Sequence, residues 1–262
     1  MVFADEDSPL YMMGAFDCAV SNIQNQQGIE AAFKTGEGVR WGDQPECLFC
    51  GVAKFFRPGY HAHLINEWIP ALGGVVEKLE RGAKVADVGC GHGLSTVMMA
   101  EAFPNSEFVG YDFHEGSIES AREHAKAHGV EANAKFEVAL AKQFDGSGSY
   151  DLVCFFDCLH DMGDPAGAAA HVCESLKPDG TWMIVEPMAQ DAIEDNLNPV
   201  GRLFYAASTM VCVPTSLAQE VGAALGAQAG EAKLKDVITA GGFGQFRRAT
   251  ETPFNMILEA RP

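Results

Sequence analysis

From Lys84 onward, short apolar runs rich in Val, Phe and Ile alternate with longer stretches whose apolar positions recur every three or four residues. The short runs read as strands and the longer period as amphipathic helices. The pattern predicts strands at Lys84–Val88, Glu107–Tyr111, Phe136–Leu140, Leu152–Phe156 and Met183–Glu186. Between the first two, Leu94, Val97, Met98 and Ala102 share the face of a helix that Pro104 closes. A second helix runs from Ser117 to His128, with Ile118, Ala121 and Ala125 inward and Gly129 as a left-handed stop. A third opens at Asp164-Pro165, where Asp caps free amides and Pro fits the first turn, and ends near Leu176.

Strands alternating with crossover helices build a doubly wound α/β domain with a mostly parallel sheet. Two last runs, Gln245–Arg248 and Asn255–Glu259, flank Thr250-Glu251-Thr252-Pro253 and read as an antiparallel hairpin, giving seven strands with an antiparallel end. The alternation breaks after Glu186, where an insertion over about 191–230 is predicted to hold a helix from Ser216 to about Gln228. Insertions at the carboxyl end of a strand shape the substrate side of such sheets. Residues 1–80 lack the pattern: they carry a helix-like stretch from His61 to Leu79 and aromatics such as Phe55, Phe56 and Trp68. This gives an N-terminal helical segment, suited to a lid or to dimerisation, followed by the main domain over 81–262.

The formal net charge of −18 on 262 residues repels phosphate backbones and anionic membrane surfaces, so nucleic acid and membranes are excluded as partners. Apolar runs such as Leu152–Phe156 are far shorter than the roughly 20 residues of a membrane helix. Eight cysteines without a secreted spacing, and an acidic N-terminus, indicate reduced thiols and the cytoplasm.

The strongest chemical signal is Asp87-Val88-Gly89-Cys90-Gly91-His92-Gly93, leaving a strand and entering a helix. Glycines let a ligand approach the backbone, and the helix end offers unpaired amides. A dinucleotide fingerprint would place its third glycine at 94, where this chain has Leu94. Asp87, two residues before the first glycine, suits a ligand bearing an ammonium group. Asp112 ends the second strand about 20 residues on, where a carboxylate accepts ribose hydroxyls, unless it only caps the next helix.

Together these residues resemble the class I S-adenosylmethionine-dependent methyltransferases, from about Lys84 to the C-terminus. The resemblance implies a Rossmann-like sheet and S-adenosylmethionine as cofactor, with S-adenosylhomocysteine as its product. It implies that Gly89, Gly91 and Gly93 pack against the methionine part, Asp87 holds its amine, Asp112 takes the ribose and Phe113 flanks the adenine. Ala141 and Lys142 fall at the adenine edge, and Asp157 counts with the cofactor site. The segment Asp157-Cys158-Leu159-His160-Asp161 and the strand end at Glu186 further resemble plant-type small-molecule O-methyltransferases. That likeness implies His160 as general base with Glu186 as its orienting partner. An imidazole titrating near 6.5 suits the removal of an acceptor proton. On the other reading His160 and Asp161 cap a helix, since nucleophilic acceptors need no base.

The chain departs from the plant pattern in lacking a long N-terminal helical domain and in the composition of its insertion. It looks closer to bacterial proteins joining a winged helix to this domain, with the winged helix missing, as in a short form or a shortened chain. Cys47 and Cys50 lack a second ligand pair, and His61 and His63 cannot share a helical face, so no metal is expected. Phe55-Phe56-Arg57-Pro58-Gly59-Tyr60 reads as aromatics before a Pro-Gly turn, either a lid with Arg57 free for the methionine carboxylate or a core-packing segment. Asn196, Asn198, Tyr205, Met210 and Gln219 suit a pocket wall. The leading expectation is methyl transfer to an oxygen, with nitrogen or carbon as the alternatives, of a small, fairly apolar molecule, by a homodimer. A cofactor-binding sensor without turnover stands second, and a nicotinamide oxidoreductase third.

Overall fold

The computed structural model describes residues 2–6, 8 and 10–262. Ahead of the sheet lie helices α1 (Met13–Gln24), α2 (Gln26–Thr35), α3 (Glu46–Gly59) and α4 (Val75–Arg81). Helix α3 runs on into Tyr60–Trp68, where the bonding widens to i→i+5. Pro58, expected to turn the chain, lies inside this helix. Its missing N–H breaks one rung of the ladder, and the wider turns that follow carry the helix onward. The reversal comes instead at Gly73-Gly74, so His61–Leu79 spans two helices rather than one.

Strand and helix then alternate as β1 (Lys84–Val88), α5 (Leu94–Ala102), β2 (Glu107–Asp112), α6 (Glu115–His128), β3 (Ala134–Val138), β4 (Tyr150–Phe156), α7 (Pro165–Ser175) and β5 (Leu176–Pro187). The chain closes with α8 (Pro199–Ala207), α9 (Val213–Leu217), α10 (Glu231–Ala240), β6 (Gln245–Glu251) and β7 (Asn255–Arg261). The seven strands take the order β3-β2-β1-β4-β5-β7-β6. Strands β1 to β5 pair in parallel, and β7 runs antiparallel to both β5 and β6. This is the doubly wound, mostly parallel α/β sheet with an antiparallel end that the sequence pattern predicts.

Period-two alternation on the central strands feeds two cores. Val85 and Leu152 face α5, α6 and the segment from Tyr60 to Leu79, whereas Ala86, Val153 and Ile184 face α7 and α10. The caps read from sequence are in place: the Asp164 carboxylate accepts from Gly167 N at 2.9 Å, and α6 stops at Gly129 in the left-handed region.

Three expectations need correction. Strand β3 sits two residues early because its ladder to β2 ends at the Asp112–Val138 pair, freeing Leu140 and Ala141 into a loop. Strand β5 begins at Leu176, paired with Tyr150, before the register slips and resumes at Leu152–Thr181; Lys177–Gly180 is absorbed as that irregularity. The helix expected at Ser216–Gln228 is not formed. Helix α9 stops at Leu217, and Val221, Gly222, Ala224, Gly226 and Gly230 adopt positive φ. Side chains hold this loop in place of a ladder: Ser216 Oγ accepts from Ala224 N at 2.9 Å and Ser208 Oγ from Ala227 N at 3.0 Å. The helical part of the insertion comes earlier, where Asn198 caps α8 and Pro199 starts it.

Candidate functional site

The carboxyl ends of β1, β2, β4 and β5 open onto a cavity of about 770 Å³, in the range of small-molecule sites. At its floor, Gly89 N and Cys90 N donate to Tyr111 O at 2.7 and 3.0 Å, tying the glycine loop to β2. A Cβ on Gly89 would meet Cys158 Sγ at 2.8 Å, whereas one on Gly91 would meet nothing, so the backbone there faces open space. Asp112 is buried beside the loop and accepts from Gly91 N and His114 N, both at 2.9 Å. Burial raises its pKa, against the lowering pull of those two amides.

Asp157, at the end of β4, holds a positive φ of 50°, a costly conformation for a side chain that is not glycine. Its Oδ1 accepts from Asn255 Nδ2 at 3.0 Å, while Oδ2 is buried without a partner among the described residues. Burial, with Glu186 nearby, pushes the pKa of this carboxyl well above the usual carboxylate range.

Beyond it, the turn after β4 places His160 with Nδ1 at 2.5 Å from Glu186 Oε2. The other Glu186 oxygen accepts from Leu159 N at 3.0 Å, so the carboxylate is fixed by the turn that it orients. His160 Nε2 lies 3.0 Å from Asp161 Oδ1, without the alignment of a hydrogen bond. Burial alone would disfavour the imidazolium, but Glu186 and then Asp161 more than offset it, and the pKa of His160 stands well above its ordinary value.

Of the residues singled out from sequence, Gly89, Gly91, Asp112, Phe113, Ala141, Asp157 and His160 line the cavity. Asp87 lies beneath the loop, where its Oδ2 accepts from Ser95 and Thr96 hydroxyls at 2.6 Å each and so pins the first turn of α5. Its Oδ1 has no partner, and burial raises its pKa to about 6. Gly93 is held by packing: a Cβ would strike Phe136 and Ala121. Lys142 points to Asp164 and Glu220, at 2.9 and 3.1 Å, outside the lining. Glu186 stands behind His160.

The N-terminal helices roof the cavity. Phe49 stacks on His114 with centroids 4.7 Å apart, and Tyr60 meets Phe156 edge-on at 5.4 Å. Phe55 and Phe56 belong to this roof, whereas Arg57 lies outside the lining and meets Glu6 at 3.5 Å. In the insertion Met210 and Gln219 reach the cavity; Asn196 instead braces its own loop through Gln190 and Ala192, and Asn198 caps α8. Sequence reasoning missed Asn255, Phe204 and Cys212. Asn255 sits at the start of the reversed β7, where the pairing with Pro187 could have drawn attention to it.

A model of the family described as "Methyltransferase domain" matches residues 79–241. Among curated proteins, the chain is 30% identical over 146 residues to a ubiquinone biosynthesis O-methyltransferase of Bordetella avium, covering 54% of this chain and 55% of that one. It thus spans about half the length of the curated relatives it matches. An O-methyltransferase family protein from Burkholderia thailandensis superposes with a TM-score of 0.74 at 15% identity, over 99% of this chain and 74% of that one. A Nostoc punctiforme chain assigned as an O-methyltransferase gives 0.69 at 20% identity, over 100% and 75%. At such identities the structural likeness speaks for the fold alone.

Proposed function

Because the chain belongs to the methyltransferase-domain family and is a class I methyltransferase, whose donor is S-adenosylmethionine, we propose that it methylates an oxygen of a small, largely apolar molecule, with His160 as general base. The observation that carries this reading is the buried His160–Glu186 pair, 2.5 Å apart, beside the same cavity as the glycine loop and Asp112.

The residues present fit the cofactor. Gly91 leaves open space where any other residue would project, Asp112 offers a buried carboxylate for hydroxyls, and Asp157 keeps one buried oxygen free of protein partners. Phe113 and Ala141 supply flat apolar surface beside them. Asp87 contributes at one remove, by fixing the helix end whose amides face the site. When bound, the cofactor supplies a methyl carbon already activated by a positively charged sulfur.

What remains for the protein is to position the acceptor oxygen and remove its proton. The apolar wall from Tyr60, Phe204 and Met210 suits a ring or chain more than a charged body. The acceptor O–H donates to Nε2 of a neutral His160. Glu186 then steadies the imidazolium and keeps the ring from turning. The raised pKa strengthens His160 as a base.

The acidic surface supports a small molecule rather than nucleic acid as partner. All eight cysteines are unpaired, which supports a cytoplasmic setting. Exposed apolar side chains on α1 and α2 support a homodimer. Among the described residues no helix is long and apolar enough to cross a membrane.

The test is a panel of phenols, catechols and hydroxy acids incubated with isotope-labelled donor and read by mass spectrometry. His160→Ala is expected to slow transfer by roughly two to four orders of magnitude, with S-adenosylhomocysteine affinity unchanged by calorimetry. A variant as fast as the parent would remove His160 from the chemistry.

A further inference from the structure

Cys212 belongs to the insertion, on a stretch, Ser208–Cys212, where the helix between α8 and α9 widens to i→i+5 bonding. Such bulges are frequent at functional sites. This one brings a buried thiol against the turn after β4. One donor atom each from His160, Asp161 and Cys212 lies within 4.8 Å of the other two, and all three residues line the cavity. From these placements we infer a binding site for a zinc-type divalent ion, made by His160 Nε2, Asp161 Oδ1 and Cys212 Sγ.

Three features of the geometry support it. Tetrahedral zinc with its usual bonds to N, O and S spaces the donors about 3.3–3.6 Å apart. The Nε2 to Oδ1 separation is 3.0 Å, so the two need part by only a few tenths of an ångström. Second, Asp161 Oδ1 is buried with no hydrogen-bond partner among the described residues, leaving its lone pairs available. Third, His160 offers its Nδ1 to Glu186, the carboxylate-to-imidazole support that metal-bound histidines almost always have, which fixes Nε2 as the ligating atom. The cavity leaves a fourth position for water or an acceptor oxygen. Thiolate with imidazole selects zinc or cobalt over magnesium or calcium.

The consequence rests on the base reading of His160, although the binding itself does not. A metal on Nε2 and a proton taken by Nε2 use the same lone pair, so an occupied site silences the base. Zinc is thus a reversible inhibitor whose grip depends on the thiol of Cys212.

The test titrates the full chain with cobalt(II) as a spectroscopic stand-in for zinc. One ion per chain is expected, with a thiolate-to-cobalt charge-transfer band that zinc displaces and magnesium does not. C212S should abolish the band, and D161N should weaken binding at least tenfold; both should melt near the parent temperature. In turnover of a panel acceptor, each rate taken relative to that variant's own metal-free rate, C212S should lose at least tenfold in sensitivity to zinc. A parent protein without the band overturns the site. So does a band that persists in C212S, since it would come from another thiol such as Cys47. A fully active H160A would sink the inhibitory consequence and leave the cobalt result to stand or fall by itself.

Discussion

A carboxylate held against an imidazole sets the pH at which that imidazole can act. Glu186 raises the pKa of His160, so the deprotonation that transfer awaits is shifted to higher pH than for an ordinary imidazole. The rate should therefore climb as pH rises, with a midpoint above the ordinary histidine value of about 6.5. E186Q withdraws the charge that favours the imidazolium, so its midpoint should move down, while its maximal rate falls less than that of H160A. A parent rate that is flat between pH 6 and 9 would count against the base. Asp112 makes a different demand. Its two oxygens already hold the amides of Gly91 and His114, and the proposed ribose contacts add to these. D112A should weaken S-adenosylhomocysteine binding by about 1.5–3 kcal/mol, the range for hydrogen bonds to a charged group, or roughly ten- to 150-fold by calorimetry. D112N, which keeps an acceptor oxygen, should lose less.

At the scale of elements, what could be read from the sequence was whatever local chemistry decides. Strand β1, the stop at Gly129 and the cap at Asp164 follow from period, glycine and capping oxygen, and the chain obeys them. The reversed hairpin was legible for the same reason. The glycine loop and Asp112 could be placed because they are fixed to strand ends. The roof and the insertion could not, since their conformation depends on contacts between distant segments. Pro58 reads locally as a turn, yet the helix continues because packing of Tyr60, Leu64 and Trp68 into the core outweighs one lost rung. Ser216–Gln228 reads locally as a helix, yet the hydroxyls of Ser208, outside the segment, and Ser216, at its start, hold it in a loop with positive φ. That loop carries strain: Val221 is β-branched, exposed, and has φ of 73°. A left-handed residue that is not glycine costs about 1–2 kcal/mol, and glycine gives back roughly 0.5–1 through its freer unfolded state. V221G should therefore stabilise the protein by about 0.5–1 kcal/mol, raising the melting temperature by roughly 1–4 °C. A lower melting temperature would show that the side chain makes a contact worth more than the strain.

Across the whole molecule, the roof over the site and the surface left by that roof are made by the same helices. Helix α1 lays one face on α3, and Ala15 and Ala19 from it reach the cavity. Its other side leaves Phe16 at 52% and Val20 at 47% exposure, one turn apart, with Phe33 of α2 at 69%. Apolar groups gathered on one face of a monomer mark an interaction surface. A second copy of the chain is the proposed occupant, because a two-fold pairing of α1 with itself buries the same residues on both sides and braces both roofs at once. Opposing it is charge: each chain carries −18, and bringing two together stores repulsion. Added salt screens that repulsion and leaves apolar burial intact, so association should tighten from low to moderate ionic strength. Light scattering at micromolar concentration should give twice the chain mass in about 0.15 M salt, with monomer appearing as salt is removed. V20D places a charge in the centre of the patch and should leave a folded monomer at both salt levels. Because the roof then loses its brace, the variant should also bind S-adenosylhomocysteine several-fold more weakly while its sheet melts unchanged. A parent protein that scatters as a monomer at every salt concentration would refute the pairing, and the roof would have to be held by α3 alone.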